Sequence, residues 1–503
     1  MPADRADLAT DLPEDPELDP APRDIADEAR GLASAAGAPE GPVPGIPADS
    51  DETPDGAPRG IRALLQDGGS LSIAVGLSGA LGAVGWVIAA RVADPVTVGH
   101  ASAIVSAMLF ASSVGQASLS TALFRWLPVA GGRSRAFIGS VVLAVTLMSL
   151  LIALLLLPLV RQIGAAGPEL ALFVVATLAW AMFQLLGPLQ AALGRARAVP
   201  LQDGSFSLVR LAMIPLLAGF GVVGIVGAWV LPALVFAAVI GAWLWRRLPP
   251  SGPGRLPSMR QLLRFTGGNW AGSLAQLVGW HIVPLIVTAT AGPSLGAVFY
   301  VLWTVVSALE LAVQQFGASM VVRSSTHPDG LAGDVRVAVR VVLGLAVPGL
   351  AVVALAASPL LGLFGAHYAN VGVDALRLLA LGLAGRTVTI LAVATYQAMG
   401  RSYPALLAHT VQTLATLGGL VLAMTTGGGD VLATIAAGYA AGAWVSALVA
   451  GVALMRVARR RPTPSDRDAD PRPDDRPDDR PDPRPDQTAG SVAGDPHPGG
   501  AER

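Results

Sequence analysis

"LQAALGRARAVPL", residues 189–201, and "YQAMGRSYPALL", residues 396–407, are near-copies of each other more than two hundred positions apart. In each, a Gly-Arg pair closes an apolar run and a proline opens the next. Glycine accepts the left-handed backbone that ends a helix, and proline suits a helix's first turn. Arginine sits well at the depth of lipid headgroups. The same punctuation, said twice, reads as a duplicated half.

What surrounds the two copies gives that reading its frame. From about Leu65 to Met455, apolar runs of twenty or more residues follow one another with short polar breaks. That is the length a helix needs to cross roughly 30 Å of hydrocarbon. The runs predict twelve spans, beginning near Leu71, Gly99, Ala136, Glu169, Ser205, Gly227, Gly267, Leu295, Val337, Val373, Pro404 and Asp430. The two Gly-Arg copies then fall at the exits of spans four and ten, six spans apart. A second echo agrees with this: "ADPVTVG" (93–99) turns span one into span two, and "AGPSLG" (291–296) turns span seven into span eight. The expected fold is therefore an all-α polytopic membrane protein of about twelve transmembrane helices in two six-helix lobes. A parallel repeat of this kind is related by an axis along the membrane normal.

Composition sets the boundaries. The chain is 53% hydrophobic with a mean hydropathy of +0.58, well above an ordinary globular chain. Residues 1–64 hold fifteen Asp and Glu against five Arg, with many Pro and Gly, and residues 466–486 read "DRDADPRPDDRPDDRPDPRPD". Neither stretch can bury a core, so disorder is expected over 1–64 and 459–503. The lobes span 65–248 and 267–458, joined by a linker over 249–266. No basic segment followed by a short apolar stretch and a cleavage site opens the chain, so no cleaved signal peptide is expected. Loops on the tails' side carry fourteen Arg (125, 133, 135, 195, 197, 246, 247, 255, 260, 264, 323, 336, 340 and 401), against Arg91, Arg161 and Arg377 opposite. The positive-inside rule then places both tails in the cytoplasm.

Absences exclude several chemistries. There is no Cys, which removes disulfides, thiolate nucleophiles and Cys-ligated metals. All 34 basic residues are Arg, so a P-loop lysine and a Schiff-base lysine are excluded. "GPSLG" (292–296) matches a nucleophile-elbow pattern, but it joins two spans rather than a strand and a helix. No covalent chemistry, cofactor, metal or nucleic-acid partner is expected, and the chain is not read as an enzyme.

Polar faces mark the interior. Ser102, Ser106, Ser113, Gln116 and Ser120 share a face of span two, where small polar residues suit close helix packing. Span seven carries Asn269, Ser273, Gln276 and Trp280, and span eight carries Tyr300, Trp303, Ser307, Glu310, Gln314 and Gly317. Aromatic rings beside a carboxylate and amides suit sugar, and packing alone seldom needs Glu. His409, Gln412, Thr416 and Gly419 form a further face on span eleven, read as packing. Arg386, Glu310 and His281 lie well inside the membrane, where a charged side chain costs about 2.5–3.5 kcal/mol even on the lenient insertion scale. Each therefore needs a partner or a polar cavity. An ion pair between Arg386 and Glu310 would satisfy both, and a packing histidine remains open for His281. The candidate site is Arg386, Glu310, His281, Trp303, Gln314, Trp280, Gln276, Asn269 and Tyr300.

"ARVADPVTVGHASAIVSAM" (90–108), "LFRWLP" (123–128) and "LFGAHYANVGVDALRLLALGLAG" (363–385), running on to "YQAMGRSYPALL", carry a resemblance. Over about Leu71 to Met455 the chain resembles the polysaccharide-exporting flippases of the multidrug/oligosaccharidyl-lipid/polysaccharide (MOP) superfamily. The resemblance implies two six-helix lobes around a central cavity that opens alternately to each side. It also implies translocation of an undecaprenyl-pyrophosphate-linked oligosaccharide across the bacterial cytoplasmic membrane for cell-surface polysaccharide. Glycosyltransferases or a polymerase of that pathway are the candidate protein partners, beside the lipid-linked saccharide and the bilayer. His281 stands where the family leads one to expect an acidic residue in span seven. Two other readings stay open: a cation-coupled exporter of small amphipathic molecules from the same superfamily, and a non-transporting membrane scaffold. The major facilitator superfamily is also six plus six, but its loop after span two carries a Gly-Asp-Arg pattern whose Asp "LPVAGGRSRAF" (127–137) lacks.

Overall fold

The computed structural model describes residues 79, 81–116, 119–248, 252–258, 260–262, 274–326, 331–399, 402–426 and 430–458. Both tails, Asn269 and the Gly400-Arg401 pair lie outside the described residues. Those described form helices and connections, with no strand among them. The first seven helices are α1 (Leu81–Val92), α2 (Pro95–Gln116), α3 (Leu119–Trp126), α4 (Ser134–Gln162), α5 (Pro168–Ala192), α6 (Val199–Leu217) and α7 (Gly221–Arg247). After the linker come α8 (Leu274–Ala291), α9 (Pro293–Thr326), α10 (Leu331–Leu355), α11 (Ala357–Gly362), α12 (Ala366–Ala398), α13 (Ser402–Thr426) and α14 (Val431–Ala458).

Among the described residues, nine stretches are long and apolar enough to cross a membrane. One of them, Ala196–Arg247, holds both α6 and α7, and two shorter apolar helices lie at Leu81–Val92 and Leu406–Leu422, which makes twelve positions among the described residues. The chain is a multi-pass, all-α membrane protein. In hydrocarbon every backbone polar group must be satisfied within the segment, which is why these apolar runs become helices. Their hydroxyls follow the same rule. Thr177 bonds the Phe173 carbonyl at 2.9 Å, Thr387 that of Leu383 at 2.9 Å, and Ser112 that of Met108 at 2.8 Å.

Helix ends form where turn chemistry places them. Gly194 takes φ +74° after α5. Its N–H bonds the Ala191 carbonyl at 3.0 Å, and the Arg195 N–H reaches Gln190 at 2.8 Å. These are the two bonds of a glycine-terminated helix, as expected of the first Gly-Arg copy. Asp94 caps α2, its carboxylate accepting from the Val96 and Thr97 backbones at 3.0 Å each and from the Thr97 hydroxyl at 2.6 Å. The Thr97 hydroxyl, with the backbone N–H groups, holds this carboxyl below the usual carboxylate range. Gly292, at φ +87°, turns α8 into α9.

The helices before the linker pack mainly among themselves, α2 on α4 and α5, α5 and α6 on α7; those after it do likewise, with α12 against α9, α10 and α14, and α13 against α14. Across the two groups, α2 meets α8 and α9. That seam is tight. A Cβ on Gly99 would fall 1.8 Å from the Pro293 carbonyl oxygen, so backbone meets backbone there. At one end Arg91 donates to the carbonyls of Leu363 (2.7 Å) and Gly362 (2.9 Å). The serines of α2 serve packing, as their spacing predicts: Ser102 and Ser106 are buried. By contrast α4 turns Leu143, Leu147, Leu151 and Leu155 outward, the face that lipid covers.

Candidate functional site

Arg386 on α12 and Glu310 on α9 meet where these two helices pack. Arg386 Nε donates to Glu310 Oε1 at 2.5 Å, and the residues are 8% and 2% exposed. The same carboxylate oxygen accepts from Trp280 Nε1 and from Gln314 Nε2, each at 3.1 Å. Three donors on one oxygen satisfy a charge that the interior would otherwise expel.

Trp280 is placed by a local irregularity. Residues Val278–Ile282 form a π turn within α8, which loosens the regular helical bonding of its carbonyls. The Trp280 carbonyl accepts from Trp303 Nε1 at 2.8 Å. Trp303 also stacks on Phe299 (5.6 Å, 20°) and meets Tyr439 edge-on (5.3 Å, 78°). Helix α13 closes the wall, tied to α8 by the Thr413 hydroxyl on the Ala275 carbonyl at 2.8 Å.

These side chains border two cavities that share Gln276, Arg386 and His409. The larger, about 200 Å³, is also lined by Gln314, Thr389 and Gln397; the smaller, about 10 Å³, by Trp280, Trp303, Gln412 and Tyr439. Adjoining at those three residues, they form a chamber of mixed polar and apolar lining, walled by α8, α9, α12, α13 and α14. Arg386 borders both parts while its Nε holds Glu310. The pair is neutral overall, so the guanidinium's charge is balanced within the protein.

The structure thus brings Arg386, Glu310, Trp280, Trp303, Gln314 and Gln276 together. His281 lies on the π turn with its ring 6.4 Å from that of Trp280 and lines neither part of the chamber. Tyr300 points elsewhere: its ring meets Trp86 of α1 at 4.7 Å, edge-on. The α13 face packs as its sequence suggests, with Gln412 and Thr416 buried and Gly419 against the Gly438 backbone, while His409 and Gln412 also border the chamber. Sequence reasoning missed Tyr439, a single tyrosine in an Ala-Gly run.

It also missed Arg210. This residue is 4% exposed on α6, with Nη2 bonded to the Leu81 carbonyl at 3.3 Å and its charge 4.2 Å from the Trp229 ring and 5.8 Å from that of Phe206. Nε meets no acceptor, and among the described residues no carboxylate acts on it. The signal was present in "FSLVRLAMIPLL" (206–217), an Arg near the middle of an apolar run. No group of three or more His, Asp or Glu that could hold a metal gathers among the described residues.

Neither a protein-family model nor a curated protein matches the chain. Solved structures do. An inward-facing multidrug resistance MATE family transporter of the MOP superfamily matches with a TM-score of 0.64 at 18% identity, over 79% of this chain and 98% of the other. A Vibrio cholerae MATE transporter matches with a TM-score of 0.57 at 18% identity, over 80% and 98%. A MOP superfamily transporter from Pyrococcus furiosus, described by the reverse polarity of its binding pocket and a different function, matches at 0.55 and 17%, over 80% and 99%. At these identities the likeness is one of fold: the chain has the fold of MATE transporters of the MOP superfamily. The polysaccharide-exporter subfamily that the sequence resembles receives no support from them.

Proposed function

We propose that this chain is an alternating-access transporter that carries an amphiphile with an anionic head group across the membrane, and that Arg386 receives the anion. The observation that carries the reading is the buried Arg386–Glu310 pair at the wall of the chamber. A cation carrier needs a carboxylate free to bind its cargo, whereas Glu310 is already held by an arginine, an indole and an amide. A guanidinium presents several donors and a charge that cannot titrate away, which suits phosphate oxygens. Aromatic and amide groups around it suit sugar hydroxyls and ring faces. In its finest form the reading is a flippase for an undecaprenyl-pyrophosphate-linked oligosaccharide in the bacterial cytoplasmic membrane. It works through two six-helix lobes, 65–248 and 267–458, with both tails cytoplasmic and the surface-polysaccharide synthases as partners.

A second reading has its own support. The V. cholerae neighbour and the inward-facing one are described as MATE transporters, the latter for multidrug resistance. Those descriptions sit better with an exporter of small amphipathic molecules than with a flippase. The two readings differ in the charge they accept. Purified protein titrated with farnesyl pyrophosphate, farnesol and ethidium distinguishes them by tryptophan fluorescence, because Trp280 and Trp303 line the chamber. The diphosphate is expected to bind at least about tenfold more tightly than the alcohol, a difference of about 1.4 kcal/mol. Tight binding of ethidium with no response to the diphosphate would refute the anionic reading.

A further inference from the structure

We propose that Arg210 is a second anion subsite, in the first group of helices, for a phosphate-like oxyanion of the transported molecule. The inference rests on the anionic reading above and extends it to a place that the chamber does not reach.

The nest around Arg210 is built for a cation, and among the described residues no carboxylate pairs with it. Trp86, Trp229 and Phe206 wall it with ring faces and edges, the Trp86 and Trp229 centroids lying 6.2 Å apart. Gly82 and Gly85, three apart on α1, turn their bare backbone toward Arg210 Nη2: a Cβ on either would lie 4.0 or 3.5 Å from it. Such a guanidinium is as costly as Arg386, but Arg386 has Glu310 and Arg210 has one carbonyl and two aromatic rings. A cation kept in hydrocarbon without a carboxylate marks a functional site by default. The aromatic walls exclude water, and low dielectric strengthens the attraction of an arriving anion.

The packing around Arg210 leaves no room for even a water in this conformation, and part of its cover comes from the other group of helices. Tyr300 of α9 reaches across to Trp86, and Ala308 of α9 packs 3.3 Å from the Cβ position of Gly79. If the two groups rock apart along this seam, Tyr300 withdraws from Trp86 and the Arg210 side of α1 faces the widened space. Arg386 borders the chamber on the far side of α9. Two guanidiniums on either side of one moving seam can then hold the anion in succession, one in each access state.

The absence of native cysteine allows a direct test. At Gly82 a Cβ meets only Arg210 Nη2 within 4 Å, so Gly82→Cys adds a thiol beside the guanidinium without a clash. In membranes, an anionic methanethiosulfonate reagent is expected to modify this thiol about tenfold faster than a cationic one, each normalised to a free thiol, as steering near a fixed charge requires. Arg210→Gln should abolish the preference and Arg210→Lys should keep it, at equal membrane abundance. Inorganic pyrophosphate should slow the reaction, and should still do so with Arg386→Gln. No modification by either reagent, or equal rates, would overturn the subsite. Protection lost with Arg386→Gln but kept with Arg210→Gln would also overturn it, while leaving the chamber's role intact. If instead Arg386 proves irrelevant to flux and the thiol behaves as expected, Arg210 stands as an anion site in its own right.

Discussion

Arg386→Ala is expected to lower flux of the anionic amphiphile by about a hundredfold or more while the protein still inserts and purifies. Removing the arginine takes away the charge that meets the substrate, and a hundredfold is about 2.8 kcal/mol, the upper range of a hydrogen bond to a charged group. Folding should survive because the Glu310 carboxylate keeps its bonds from Trp280 and Gln314. Arg386→Lys should restore part of the flux, since an ammonium keeps the charge but not the fork of donors. The reciprocal change behaves differently. In Glu310→Ala the stranded group is a guanidinium that cannot neutralise, and breaking a buried pair from that side costs about 3–5 kcal/mol. Its main effect should be on yield and thermal stability, measured by size-exclusion of the detergent-solubilised protein. Normal flux with Arg386→Ala at equal abundance would reduce Arg386 to a structural partner of Glu310.

Gly438→Val should loosen the packing of α13 on α14 and lower the thermal stability of the protein. A Cβ at Gly438 would lie 2.6 Å from the Gly419 carbonyl carbon, and one at Gly442 would lie 2.7 Å from that of Ala415. Helices α13 and α14 therefore touch through backbone along a stripe of small residues, the contact that membrane helices use when no hydrophobic force joins them. Valine must push them apart, and overpacking of this kind costs about 1–3 kcal/mol. Because α13 brings His409 and Gln412 to the chamber and α14 brings Tyr439, the chamber loosens with the seam. A fall in Tm of about 1–3 °C is expected, since a chain of this size shifts by about 1 °C per kcal/mol, and Gly438→Ala should be milder. An unchanged Tm for the valine variant would show that the α13–α14 contact is not a determinant of stability.

Much of this was legible in the chain because it depends on length and local chemistry. Twelve apolar runs forecast twelve helical positions, and the Gly194-Arg195 copy forecast the bonds that end α5. The Arg386–Glu310 pair was foreseeable from cost alone, since neither charge can lie in hydrocarbon without a partner. What was not legible depends on which helix faces which. Spacing puts Tyr300 and Glu310 on one face of α9, yet Glu310 turns to α12 while Tyr300 reaches α1. The π turn in α8 inserts an extra residue into the helical register, so the face counted from Gln276 does not carry on evenly past it. Polar residues on α13 read the same in sequence whether they pack or line a chamber. Arg210 escaped for a simpler reason: arginines were weighed as loop markers of orientation, and one inside a span was passed over.

Charge selectivity of transport tests the account most directly. In liposomes containing the purified protein, with fluorescent amphiphiles of matched tail length but anionic, neutral or cationic heads, the anionic probe is expected to cross fastest, and its advantage should vanish with Arg386→Ala. Faster movement of the cationic probe, driven by an ion gradient and indifferent to Arg386, would contradict the account and establish the chain as a cation exporter.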